Sequence, residues 1–206
     1  MPRHPDFVPQ GVIPAVLLPF HDDLSIDEQR RVMEIAGEEV GSKLPVIHGV
    51  WADGSLEAAR IARQAQAGGA SALLVFPPGP FTLGQSAEMA LAHFKAIADA
   101  SDLPIIIFQY PLSTGQGYPA ATLERLFEEV PTIRAIKDWT PLVPQHENQI
   151  RALQGRKRPI NVLSTNSAWL LSSLVLGCNG LLSGSGSVIA DLQARLFRAD
   201  RGSGRS

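Results

Sequence analysis

The feature that most constrains the fold is a series of short apolar runs that recurs about every 30 residues. The runs occupy positions 12–20, 44–50, 72–76, 104–110, 133–137, 160–164 and 180–183. Each is β-branched or leucine-rich and nearly continuous rather than alternating. Strands covered on both faces read this way, as in parallel sheets. The gaps carry helical patterns over 26–40, 55–67, 88–100, 121–130, 145–153, 167–176 and 189–199. Ser25 and Glu28 have capping-box spacing before the first pattern. Ser55 stands as the N-cap of the second, which stops at Gly68-Gly69. In the fourth, Leu123, Leu126, Phe127 and Val130 fall on one stripe.

A strand with a helix in every gap is a repeating βα unit, and right-handed crossovers turn it into a parallel sheet. A closed (βα)₈ barrel needs eight units and about 250 residues. This chain has 206 residues and seven units. The expected fold is therefore an α/β, TIM-barrel-type parallel barrel one unit short, spanning 11–198. A polar extension at 1–10 and a flexible tail at 199–206 flank it. An open doubly wound sheet is the alternative, but no glycine-rich phosphate fingerprint follows the first run.

Composition excludes several function classes. A net charge of −2 gives no field for nucleic acid or an anionic membrane surface. The N-terminus has no basic stretch leading into an apolar one, and no apolar run nears the ~20 residues that cross a bilayer. The single cysteine, Cys178, cannot form an internal disulfide, which points to a reducing, cytoplasmic setting. The histidines, His4, His21, His48, His93 and His146, show no ligand spacing with one another or with Cys178, so no metal is expected. His48, inside the second run, reads as a packed strand residue.

In parallel barrels chemistry gathers where strands end. The fifth run ends in Lys137, followed by Asp138 and Trp139. A lysine at the end of an apolar strand is desolvated, which lowers its pKa and frees the amine to attack a carbonyl. The competing reading is a lysine paired with a loop carboxylate at the rim. The fourth run leads through Pro111 into Ser113, Thr114 and Gly115, which supply hydroxyls and amides for a carboxylate or merely form a turn. The last run leads through Leu182 into Ser183, Gly184, Ser185, Gly186 and Ser187 before a helix. Amides there suit an anion, or the stretch is a connector.

Taken in order, these pieces resemble the dihydrodipicolinate synthase / N-acetylneuraminate lyase family. The segments 11–20, 45–50, 74–78, 105–115 and 135–138 match its first, third, fourth, tyrosine-bearing and lysine-bearing strands, and the likeness covers about 11–196. The resemblance implies a class I lyase or aldolase in a (βα)₈ barrel. Lys137 would condense with the keto group of pyruvate or a related 2-oxo acid. Ser113, Thr114, Thr165, Leu182, Ser183 and Gly184 would bind the substrate, with no cofactor and with a dimeric or tetrameric assembly. The departures are specific. The family's first helix, second strand and Gly-Thr-Thr-Gly-Glu-like loop have no counterpart, and its C-terminal helices are absent. Its acid–base tyrosine is Phe108 here, and Ser113 stands where the synthases carry an arginine. Aromatic loop residues after the fourth strand are Gly79 and Pro80. Three readings follow: a Schiff-base lyase, an inactive relative that binds a small acid or oligomerises, and a phosphate-using barrel enzyme.

Overall fold

The computed structural model describes residues 6–15 and 27–202, without the side chains of 27–32. The expected capping-box pair (Ser25 and the Glu28 side chain), His4, His21 and positions 16–20 of the first run lie outside this set. The described strands are β1 (Gly11–Val12), β2 (Ile47–Val50), β3 (Ala72–Val75), β4 (Ile105–Gln109), β5 (Ile133–Asp138), β6 (Asn161–Ser164) and β7 (Gly180–Leu181). The α-helices are α1 (Asp27–Glu39), α2 (Ser55–Ala67), α3 (Ala87–Ala100), α4 (Ala120–Glu129), α5 (Val143–Gln154), α6 (Leu170–Val175) and α7 (Gly186–Gly202). All strand pairs are parallel, in the order β1-β7-β6-β5-β4-β3-β2. The sheet is a TIM-barrel-type array of seven strands whose outer members are β1 and β2. The full barrel would place the missing unit between those two.

The runs become strands because both faces are covered. All five residues of β4 are buried. One face packs on the helices: Ile105, Ile107, Ile136 and Val162 join Ala62, Phe94 and Leu126 in the main core. The other face forms a smaller inner layer of Ile106, Ala135, Leu163 and Leu182. Helix α3 shows how a helix is fixed. Ser86 caps it by accepting from the Met89 amide (3.2 Å), and Ala90, Leu91, Phe94 and Ile97 make its buried stripe.

Some boundaries differ from expectation. Ser55 is not a cap: Gly54 holds that place, and the Ser55 hydroxyl contacts Nδ1 of His93 (3.0 Å). Helix α6 begins at Leu170 rather than 167, because the Ser167 hydroxyl is drawn to Ser183 (2.6 Å) and Ser185 (3.1 Å). Helix α7 runs through Gly202, into the stretch expected to be tail.

One irregularity decides the site. Between β4 and β5 the pairing shifts from Ile105↔Ile133 to Ile106↔Ala135, so that two residues of β5 answer one of β4. Such a bulge flips every later side chain to the opposite face. Ile133 faces the helices and Ala135 faces the inner layer. Lys137, two residues beyond Ala135, therefore points inward. In unbroken alternation from Ile133 it would point at the helices.

Candidate active site

Lys137 sits at the C-terminal end of β5, only 7% exposed, opposite Phe108 on β4 and Leu163 on β6. Its Nζ lies 4.0 Å from the centre of the Phe108 ring. Burial brings its pKa down to about 8. Among the described residues no carboxylate pairs with it, so the rim ion pair considered above is not formed. The Phe108 ring that the amine rests on belongs to a larger aromatic cluster. Phe108 packs edge-on against Phe76 (5.2 Å) and Tyr110 (4.5 Å), and Tyr110 packs against Trp139 (5.4 Å).

Asp138 points the other way, toward α5, and is almost fully buried. Its Oδ1 accepts from the Thr140 amide (2.9 Å), and its Oδ2 accepts from Nδ1 of His146 (2.6 Å). The Gln149 amide, turned with its nitrogen toward the carboxylate, donates to both oxygens at 3.2 and 3.0 Å. The His146 ring stacks on Trp169. This network pins the residue next to the lysine, and with it the end of β5. Sequence reasoning treated His146 only as a non-ligand and missed the pairing. The signal was present: a carboxylate at the end of a strand and a histidine in the first turn of the helix that follows.

The other expected site residues are placed as follows. Leu182 lies in the inner layer beside Leu163 and Ala135. Thr165 follows β6 directly, its amide bonded to the Asp138 carbonyl (3.2 Å). Ser183 is fully buried, and its hydroxyl meets those of Ser167 (2.6 Å) and Ser185 (2.9 Å). Gln193 donates to the Ser185 hydroxyl (2.8 Å), so this triad is ordered rather than a loose connector. Gly184 stands between two of its members. Ser113 and Thr114 are exposed on the β4 loop. The Thr114 hydroxyl donates to the Pro111 carbonyl (2.7 Å), which commits it to its own turn. His48 lies on β2 with its pKa lowered by burial. A cleft lined by Phe7, Val8, Pro104, Pro131 and Arg134 lies at the opposite end, where strands begin. Parallel barrels do not place chemistry there.

A buried amine of lowered pKa, facing inward at a strand's C-terminal end, is equipped to attack a carbonyl carbon. Comparison with known proteins agrees with this frame. The model of the dihydrodipicolinate synthetase family matches residues 10–203. The 4-hydroxy-tetrahydrodipicolinate synthase of Sphingopyxis alaskensis is 36% identical over 174 residues, 83% of this chain and 57% of that protein. The synthase of Gluconacetobacter diazotrophicus is 30% identical over 193 residues, 92% of this chain and 62% of that protein. The chain thus spans less than two thirds of these relatives' length. Among solved structures, YagE of Escherichia coli K12, in complex with pyruvate, superposes with a TM-score of 0.84 at 23% identity. The match covers 94% of this chain and 76% of YagE. With its family model matched almost end to end, the chain belongs to the dihydrodipicolinate synthetase family.

Proposed function

We propose that this protein is a Schiff-base-forming lyase or aldolase acting on pyruvate or a related small 2-oxo acid, with Lys137 as nucleophile. The observation that carries the reading is the inward-facing, buried Lys137, whose amine is partly neutral near pH 8. The neutral amine adds to the keto carbon and water leaves, giving an iminium. That cation draws electrons from the neighbouring carbon–hydrogen or carbon–carbon bond. The Thr165 hydroxyl and the amides of Ser183 and Gly184, beside Leu182, receive the substrate carboxylate. Ser113 and Thr114 stand farther out on the rim. The pyruvate found in YagE supports the substrate class. Assembly into dimers or tetramers and a cytoplasmic setting belong to the same reading. Among the described residues no helix is long and apolar enough to cross a membrane.

The test is borohydride reduction in the presence of pyruvate, read by intact mass and peptide mapping. One adduct on Lys137 is expected, and none in Lys137→Arg. A soluble, folded protein with no adduct would overturn the reading. Trapping should also follow the neutral amine: its rate should rise about tenfold per pH unit up to about pH 8 and then level off. A rate independent of pH between 6 and 8 would mean that another group limits the step.

Phe108 favours a second reading, in which the site binds a 2-oxo acid without turning it over. The phenyl ring has no proton to move, and a positioned acid or base contributes about 10²–10⁴-fold. An adduct on Lys137 in a protein with no turnover is the signature of that reading.

A further inference from the structure

The loops around Lys137 are almost without charge. The connections after β3 (76–86), β4 (110–119), β5 (139–142), β6 (165–169) and β7 (182–185) contain no Lys, Arg, His, Asp or Glu. The connection after β2 (51–54) contains one charged residue, Asp53, whose carboxylate accepts from the Gly79 amide (3.1 Å). The chain has 18 Lys and Arg, yet none falls in any of these connections. The residues between β1 and α1, outside the described set, add His21, Asp22 and Asp23 but no Lys or Arg. Arg60, in the helix that follows β2, is held by Glu57 (2.6 Å).

The same loops hold all three tryptophans, Trp51, Trp139 and Trp169, and both tyrosines, Tyr110 and Tyr118. Three of these aromatics, with two phenylalanines, matter here by position. Trp51 is 74% exposed at the end of β2, and Trp139 is 44% exposed one residue beyond Asp138. Trp139, Tyr110, Phe108 and Phe76 form a continuous chain of ring contacts, with centroid spacings of 5.4, 4.5 and 5.2 Å. This chain runs from solvent down to the ring that touches the lysine ammonium. Leu112 and Leu142, on the loops after β4 and β5, are 49% and 61% exposed.

A second substrate that reaches a Lys137-bound pyruvate from the β4–β5 side meets this wall. Burying a carboxylate or phosphate there would leave its charge without a counterion, a cost of several kcal/mol. An aromatic ring would instead pack edge-to-face at the spacing these rings already use among themselves. Resting on the proposed lyase reading, we infer that the carbonyl partner is a neutral aromatic aldehyde, not a carboxylate- or phosphate-bearing one. In the forward direction, C3 of the pyruvate enamine bonds to the aldehyde carbon. The proton lost from C3 goes to solvent, and one returns to the new alkoxide. Water then cleaves the imine, releasing a 4-aryl-4-hydroxy-2-oxobutanoate and the free lysine.

A single turnover suffices for the test. The protein is incubated with pyruvate and equimolar benzaldehyde and succinic semialdehyde, reduced with borohydride and mapped at Lys137. The pyruvate adduct extended by benzaldehyde is expected to exceed that extended by succinic semialdehyde at least tenfold. In Trp139→Ala that ratio should fall by about an order of magnitude, while the far-ultraviolet dichroism stays that of the parent protein. A pyruvate adduct with no benzaldehyde extension, or with the semialdehyde extension equal or greater, would overturn this inference and leave the proposed function standing. The absence of any pyruvate adduct would overturn both.

Discussion

Replacing Asp138 with alanine should lower folding stability by about 3–5 kcal/mol, because it strips several buried donors of their shared acceptor. The carboxylate takes hydrogen bonds from the Thr140 amide, from His146 and from the Gln149 amide, all within a buried setting. Without it, His146 loses the partner of Nδ1, and its Nε2 has none among the described residues. The Thr140 amide is orphaned as well. Each buried group left unsatisfied adds about 1–3 kcal/mol. Asp138→Asn keeps an oxygen for Thr140 and should cost far less, about 1–2 kcal/mol. Urea unfolding at pH 7 measures both, provided that the slopes match. A loss below about 1 kcal/mol for the alanine variant would show that the network contributes little to holding β5.

Lys137→Met should have the opposite sign. The folded protein holds this amine at about 8 against an ordinary 10.5. Between these values the unfolded chain binds more protons, so wild-type stability rises as pH increases through the window. Below pH 8 the cost of the buried ammonium is present in full, about 3 kcal/mol at 1.36 kcal/mol per pKa unit. The cation–π contact with Phe108 offsets part of it. The methionine variant, apolar and of similar length, should therefore be more stable at pH 6–7 by about 2–3 kcal/mol. That advantage should shrink steadily between pH 8 and pH 10.5. A constant difference across this range would show that the lysine is not desolvated. The paired outcome separates two neighbours on one strand: Asp138 holds the fold together, while Lys137 is kept at the expense of stability. Such a trade is expected of a residue retained for chemistry.

The strand repeat was legible because burial on both faces leaves a continuous apolar run, and each of the seven runs overlaps a described strand, although β1 begins one residue before its run and β5 ends one residue after its own. Lys137 was legible as well, since an ionisable residue ending such a run stands out. Which face it occupies was not. Ile133-Arg134-Ala135-Ile136-Lys137 alternates acceptably in either phase, and only the bulge against Ile105 settles it. The Asp138–His146 pair was hidden for a related reason: it depends on the angle at which α5 leaves the loop after β5, and no local spacing encodes that angle. The aromatic wall was half visible. Pro77, Pro78 and Pro80 show in the sequence that the loop after β3 has no ionisable group, but the gathering of Phe76, Phe108, Tyr110 and Trp139 required the strand order. The cap at Ser55 and the helix start at Ser167 were misread because each hydroxyl is used by a tertiary partner rather than by the local backbone.

The strand order also carries a consequence for how the molecule assembles. From β2 to β7, every ladder joins strands that are neighbours in the chain, so each can form as soon as its own βα unit is complete. The β1–β7 ladder alone spans nearly the whole described chain, pairing Gly11 with Gly180. Its loop-closure entropy is the largest of any pair, and its interface is two residues long. A Cβ at Gly180 would overlap the Gly11 backbone, so this closest approach depends on Gly180 lacking a side chain, while Gly11 holds a positive φ of 81°. The N-terminal strand is therefore the last piece to join and the first to leave. The Gly11 and Ile13 amides, bonded to Asn179 (3.0 Å) and Leu181 (2.8 Å), should exchange with solvent deuterium at least about 100-fold faster than those of Ile106 and Ile107. Equal protection would mean that the chain's two ends lock together in the same cooperative step as its middle.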